Sequence, residues 1–277
     1  MAVTMNTKSF AVNVDESAEV SSGHETIQAT RMRAVRYGSM ETPTHPLLRS
    51  LPPCFRAVVI GASGGIGSAI CDLLQRQPDI GDLVRLSRSK GDLDLLDEQS
   101  IKLAAEALGG APIHLLICAT GVLTTDGHPP EKALRQIDPE VMLKQFQINA
   151  IGPALVAKHF LPRLDRHSRS IAAFLSARVG SIGDNRLGGW ISYRSTKAAL
   201  NQAVRTASIE IARTHLAATV VAIHPGTVQT KLSNPFSHGH PTVSAVQAAT
   251  HILQTLDGVS AEQSGSFLAN DGTPIKW

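Results

Sequence analysis

Aromatic side chains are scarce in this sequence. They fill 4% of its 277 positions, and only two are tyrosines, Tyr37 and Tyr193. Cysteine is as sparse: Cys54, Cys71 and Cys118 form no CxxC pair, and their odd number argues against a disulfide framework. A reducing, cytoplasmic setting is expected, with Cys71 and Cys118 acting as buried small hydrophobes. No run reaches the roughly 18 apolar residues that a membrane-spanning helix needs, so no membrane partner is expected. The first residues lack the charged-then-apolar order of a secretory signal. An excess of one charge is also missing. The formal net charge is +3, with basic residues dispersed, which excludes an extended nucleic-acid surface. Neither internal repeats nor low-complexity tracts occur.

What is present supports a buried core: 43% hydrophobic and 18% charged residues read as one domain. Residues 1–50 are polar and low in bulky aliphatics, and Pro43, Pro46, Pro52 and Pro53 break the chain there. Residues 1–54 are therefore expected to form a mobile extension. Arg31, Arg33 and Arg36 leave an organelle-targeting role open, and Asp15, Glu16, Glu19 and Glu25 weigh against it.

From Phe55 to Trp277 apolar strands alternate with helical periodicity. "FRAVVI" reads as a strand, and Ile66, Ile70, Leu73 and Leu74 fall at helical spacing after it. Strands follow at "LVRLSRS", "IHLLICATGVL", "SIAAFLSAR", "ATVVAIHPG" and "GSFLAND". Helices are expected at "EQSIKLAAEAL", at "PEVMLKQFQINAIGPALVAKHFLPRL" as one long element, through the segment after Tyr193, and at "SAVQAATHILQTL". Strands that are apolar throughout, rather than alternating, imply a parallel sheet covered on both faces. The fold class is α/β, a doubly wound parallel sheet of Rossmann type over residues 55–277.

Two features carry chemistry. "VVIGASGGIG" places Gly61, Gly65 and Gly67 where the first strand turns into a helix. Such a loop lets a pyrophosphate approach the main chain at a helix N-terminus. About 20 residues on, where an NAD site would carry an acid, the chain has Ser87 and Arg88. Arg88 can pair with a 2′-phosphate, which favours NADP(H) over NAD(H). The second feature is "WISYRSTKAAL", with Tyr193 and Lys197 one helical turn apart. An ammonium near a phenol lowers its pKa and suits it to proton transfer with a carbonyl or an alcohol. "TKLSNPFSHGHPTVSA" reads as a substrate lid. Trp190 and Phe236 are candidate apolar walls for the substrate. His238 and His240 lack acidic or cysteine partners nearby, so no metal is expected.

Together these residues resemble the short-chain dehydrogenase/reductase family, over residues 55–277. Gly61, Ser63, Gly64, Gly65, Ile66 and Gly67 cover its glycine loop, with Ile60 in place of the usual threonine. By that resemblance Asp94 and Leu95 are adenine contacts, and Ala119 and Gly121 line the cofactor, although Cys118 and Ala119 stand where asparagines are common. Pro225, Gly226 and Val228 in "HPGTVQT" match the segment that closes over the nicotinamide. Asn149, Ser176, Tyr193 and Lys197 match the catalytic residues, and Ser176 is preferred over Ser181 and Ser192 by its strand-end position. Tyr193 would then be the general acid and Lys197 would hold the nicotinamide ribose. Ser176 would hold the substrate oxygen, and Asn149 a water leading to Lys197. "SARVGSIGDN" and the C-terminal "GSFLANDGTPIKW" look closest to the C-factor-like branch.

The resemblance implies an NADP(H)-dependent carbonyl reductase or alcohol dehydrogenase with a small, fairly apolar substrate, working as a homo-oligomer. Two alternatives remain at this point. One is a nucleotide-binding regulatory protein of the C-factor type with little or no turnover, and the other a scaffold subunit whose role is oligomerisation. Fold alone decides none of them.

Overall fold

A computed structural model describes residues 47–233, 236 and 241–277. Six strands form one sheet: β1 (Phe55–Ile60), β2 (Ile80–Leu86), β3 (Leu115–Cys118), β4 (Ser170–Leu175), β5 (Ala218–His224) and β6 (Phe267–Ala269). Their order is β2-β1-β3-β4-β5-β6, and every pairing is parallel. The chain runs outward from β1 to β2 and returns to the other side of β1 with β3. The order therefore reverses between β1 and β3, and a crevice opens there at the carboxyl ends of the strands.

Both faces of the sheet are covered, as the continuous apolar strands require. All six residues of β4 are buried, and so are all four of β3. On one face Val58, Ile60, Leu116, Ala172, Phe174 and Val220 meet Ile101, Val156, Phe160, Leu200 and Val204. These last residues belong to α2 (Glu98–Glu106), α4 (Gly152–Phe160) and α5 (Ile191–Ile211). On the other face Val59, Ile117, Ile171 and Val221 meet α1 (Gly65–Leu74) and α6 (Ala245–Gly258) through Ile70, Leu74, Ile252 and Leu256. Each such side chain contributes about 1.5–3 kcal/mol when fully buried. Leu47, Leu48 and Leu51 join this second layer. The last positions of the expected 1–54 extension are thus packed on the body, because three leucines there find apolar partners. Residues 1–46 lie outside the described residues, as do residues 234, 235 and 237–240 of the expected lid, His238 and His240 included.

The expected elements occur, β1 with the expected bounds and β3 to β6 as shorter strands, because loop residues at the strand ends leave the ladder. The helix expected over residues 139–164 is unbroken as far as Arg163, but it is not α-helical throughout. It runs as α3 (Pro139–Phe146), a π turn (Gln147–Ile151) and α4. The cause is in the sequence: Pro153 has no N–H to offer the carbonyl of Asn149, so the i to i+4 ladder widens there. Asn149 thus sits in a π turn rather than in regular helix. The second strand also begins earlier than expected, at Ile80, since Gly81 lies flat against Cys54. A Cβ at Gly81 would meet the Cys54 carbonyl oxygen at 2.4 Å. Among the described residues no helix is long and apolar enough to cross a membrane.

Candidate active site

The glycine loop follows β1 directly. Gly61 has φ +84°, and a Cβ there would stand 2.6 Å from the Ala119 carbonyl oxygen. At Gly67, in the first turn of α1, a Cβ would stand 2.2 Å from the Gly61 carbonyl oxygen. The loop can thus close only with hydrogen at both positions. Gly64 occupies the N-cap of α1 and makes no side-chain capping bond, so the first N–H groups of the helix face outward with partial positive charge. Ser63, Gly64 and Gly65 are exposed at this turn, while Ile66 packs on the apolar layer below. This bare, uncapped helix start suits a pyrophosphate.

The neighbouring contacts are ordered around the same crevice. The Ala119 N–H donates to the Ile60 carbonyl at 2.8 Å, fastening the end of β3 to β1. Arg88 is exposed just past β2. The Asp94 carboxylate accepts from the Leu96 N–H at 3.0 Å, and the Asp94 N–H donates to the Ser100 hydroxyl at 2.9 Å. Leu95 lies against Gly152, where a Cβ would come within 2.7 Å of the Leu95 side chain. On the opposite side Gly226 turns with φ +82°, and Val228 is buried and bridges in parallel to Val243. Pro225 stands between Gly226 and His224, the last residue of β5. Burial, reinforced by nearby Arg178, pushes the His224 pKa down to about 4.

The catalytic candidates converge at the carboxyl end of β4. The Lys197 ammonium donates to the carbonyl of Leu175, the last residue of β4, at 2.9 Å. Ser176 follows on the chain, and its hydroxyl donates to the side-chain carbonyl of Asn201 at 2.6 Å. Tyr193, Lys197 and Asn201 are spaced by four on α5 and face the sheet together. Burial drives the Lys197 pKa down to about 8, with the Cys118 thiol opposing the shift. The Cys118 thiol itself is pushed up by burial. Gly121 completes the floor: a Cβ there would stand 3.2 Å from the Lys197 nitrogen and 3.3 Å from the Asn149 side-chain oxygen. That backbone recess beside an ammonium is the space a ribose hydroxyl needs, so these residues fit a bound dinucleotide.

One expectation is revised by this geometry. The phenol of Tyr193 is not acidified by Lys197; burial pushes its pKa above the ordinary value. The ammonium is 5.9 Å from the ring centroid and engaged with a carbonyl, so desolvation of the phenol wins. The shift keeps the phenol protonated at neutral pH, the form a proton donor requires. The side chain of Asn149 is engaged with the segment after β3 and with α5. It accepts from the Val122 N–H at 2.8 Å and donates to the Val122 carbonyl at 2.9 Å and to the Thr196 hydroxyl at 3.3 Å. Thr196 in turn donates to the Tyr193 carbonyl at 2.8 Å. Asn149 thereby ties the segment after β3 to the catalytic helix.

Trp190 and Phe236 stand together beside Tyr193. Trp190 packs edge-on to Tyr193 at 6.3 Å and to Phe236 at 5.7 Å between ring centroids. The three serines separate clearly. Ser176 joins the Asn201 cluster, the Ser181 hydroxyl accepts from the Asp184 N–H at 3.1 Å, and Ser192 is held by Glu131. Asn201 was not anticipated. Its position four residues after Lys197 was the available signal, but only the turn after β4 shows that it meets Ser176. Among the described residues no group of three or more His, Cys, Asp or Glu is placed to hold a metal ion.

The chain is similar to known proteins in family and in fold. The family model for short chain dehydrogenases matches residues 89–240. The chain is 28% identical over 232 residues to the 1-hydroxy-2-glutathionyl-2-methyl-3-butene dehydrogenase of Rhodococcus sp. (strain AD45), covering 79% of this chain and 98% of that one. It is 37% identical over 145 residues to the C-signal protein of Myxococcus xanthus, covering 52% of this chain and 84% of that one. Among solved structures, an NADPH-bound carbonyl reductase from chicken fatty liver shares the fold with a TM-score of 0.71 at 24% identity, covering 83% of this chain and 97% of that one.

Proposed function

Because the chain belongs to the short-chain dehydrogenase family, whose members are oxidoreductases, we propose that it is an NADP(H)-dependent carbonyl reductase or alcohol dehydrogenase. Its substrate is small and fairly apolar, and Tyr193 is the general acid/base. The observation that carries this reading is the meeting of Ser176, Lys197 and Asn201 at the end of β4, with Tyr193 on the same face of α5. The relatives support it: one is named a dehydrogenase and a structural neighbour a carbonyl reductase.

The nicotinamide cofactor supplies or accepts hydride. The uncapped start of α1, with Gly61, Ser63, Gly64, Gly65, Ile66 and Gly67, would hold its pyrophosphate. Asp94, Leu95, Ala119 and Gly121 would line its adenine and ribose side, and Pro225, Gly226 and Val228 its nicotinamide side. Arg88 would pair with a 2′-phosphate. Lys197, moved from the Leu175 carbonyl, would donate to ribose hydroxyls, and the recess at Gly121 leaves room for them. Tyr193, kept protonated by burial, gives its proton to the substrate oxygen during reduction and recovers it afterward. Ser176 donates to the same oxygen and steadies its developing negative charge, provided its hydroxyl turns from Asn201. Asn149 keeps the segment after β3 in place and would support a water on the proton path to Lys197. Trp190 and Phe236 exclude water and shape an apolar cleft.

The chemistry resides in residues 55–277. Exposed Leu143, Ile151 and Ile209 on the long helices support assembly of several copies. One observation favours a second reading, a binding protein with little or no turnover: the 37% identity to the protein named C-signal. Turnover separates the two. A panel of carbonyl compounds assayed for NADPH oxidation should include substrates, and Tyr193→Phe should bind NADPH normally while losing about 10²–10⁴-fold in kcat. Full activity in that variant would reject the proton-donor role. An inactive wild-type chain that still binds NADPH would favour the second reading.

A further inference from the structure

The connection from β3 to α3 delivers a carboxylate to the start of the catalytic helix. Glu131, on that connection, is only 6% exposed. Its carboxylate accepts from the Ser192 N–H at 3.3 Å and from the Ser192 hydroxyl. Its main-chain carbonyl accepts from the Trp190 N–H at 2.5 Å. Helix α5 has no cap of its own: Trp190 occupies the N-cap position and makes no side-chain capping bond. Glu131 therefore performs from a distant segment the task usually given to a local Ser or Asp. Its negative charge also suits the positive end of the helix.

The residue being held is strained. Trp190 is left-handed, with φ 52° and ψ 42°, and follows Gly188 and Gly189 at φ 64° and 65°. A bulky residue keeps that conformation only where its surroundings over-determine it, and such residues gather at functional sites. Here the main chain of Glu131 fixes Trp190 and the side chain fixes Ser192. Ile191, Ser192 and Tyr193 open the helix, so whatever fixes that first turn also places the phenol. The carrying segment is anchored as well. The Lys144 ammonium meets the Asp126 carboxylate at 2.6 Å, and the Gln136 side chain accepts from the N–H groups of Lys132 and Ala133 at 2.8 and 3.1 Å.

We propose that Glu131 is a positioning residue for the reaction, clamping Trp190 and Ser192 so that Tyr193 and the indole wall meet the substrate in a single geometry. It acts through those two residues. The inference deepens the carbonyl-reductase reading and rests on it for its kinetic consequence. Glu131→Gln retains an acceptor for the Ser192 N–H and gains a donor for its hydroxyl, whereas Glu131→Ala removes both partners.

The test compares wild type, Glu131→Ala and Glu131→Gln with a carbonyl substrate and NADPH. Glu131→Ala should lower kcat/KM by about ten- to a hundredfold, as small misplacements of reacting groups do. Its Kd for NADPH should be unchanged, and Glu131→Gln should recover most of the loss. A second reading needs no turnover. The chain has two tryptophans, so in a Trp277→Phe background Trp190 is the sole reporter, and Glu131→Ala should shift its emission to the red. Unchanged kcat/KM in Glu131→Ala, even with a lowered Tm, overturns the proposal and leaves a purely structural cap. Should wild type oxidise no NADPH with any carbonyl, the reductase reading fails by itself. The Trp190 emission then decides the clamp: a red shift supports it and an unchanged spectrum overturns it.

Discussion

Around the ends of β1 and β3 the site is made of main chain, whereas around the end of β4 and the start of α5 it is made of side chains. In the first region the decisive contacts are those of hydrogen atoms on Gly61, Gly67 and Gly121. In the second they are side-chain bonds, from Lys197 to the Leu175 carbonyl, from Ser176 to Asn201 and from Ser192 to Glu131. The difference follows from the groups to be held. A pyrophosphate is bound by N–H groups that every residue has, so the requirement falls on the residues that must lack a side chain. A proton and a developing charge need titratable groups at defined positions, and Tyr193 and Lys197 are buried together there, with burial shifting the pKa of each.

Three experiments press on that contrast. The largest effect is expected from the main-chain region. Gly67→Ala drives a methyl into the Gly61 carbonyl, costs about 1–3 kcal/mol and should erase the rise in Tm that NADPH gives wild type. Gly258→Ala, where nothing stands within 4 Å of the new carbon, should alter neither. Equal NADPH shifts in the two variants would show that the loop does not depend on bare main chain.

Next comes the side-chain region. Lys197 titrates at about 8, so it is charged below that pH and loses its proton as pH rises through it. If its ammonium orients the ribose, kcat/KM for carbonyl reduction should be flat below pH 8 and then fall by up to about tenfold per pH unit. Lys197→Arg, whose guanidinium stays protonated, should remove that limb even if its activity is lower. A limb that persists unchanged in the variant would assign it to another group.

The smallest effect belongs to the exposed edge past β2, outside both regions. Arg88→Ala should weaken NADPH by about tenfold in Kd, near the lower limit for a hydrogen bond to a charged group. NADH binding, measured by the same titration, should not change. An equal loss for both cofactors would withdraw the 2′-phosphate role from Arg88.

The contrast also explains what could be read in advance. Gly61 and Gly67 were visible because a turn against a main-chain neighbour tolerates only glycine, and the apolar strands were visible because a doubly covered sheet leaves no polar face. Tyr193 and Lys197 were visible because helical spacing alone puts them on one face. The π turn within the long helix at Asn149 was missed, although Pro153 carried the signal, since periodicity does not register a single widened turn. The direction of the Tyr193 shift was also missed. Spacing shows that an ammonium is near, but only packing tells how much water the phenol loses.

The sequence by itself determined the layered fold, the glycine loop and the face of α5 that carries the phenol and the ammonium, because periodicity and the missing side chain of glycine are local properties. Only the tertiary structure decided which distant residues meet them. Asn201 reaches Ser176 across the turn after β4, and Glu131 reaches Ser192 from 61 positions away along the chain. Such pairs form when separate elements are packed against one sheet, and no local pattern in the chain encodes that meeting.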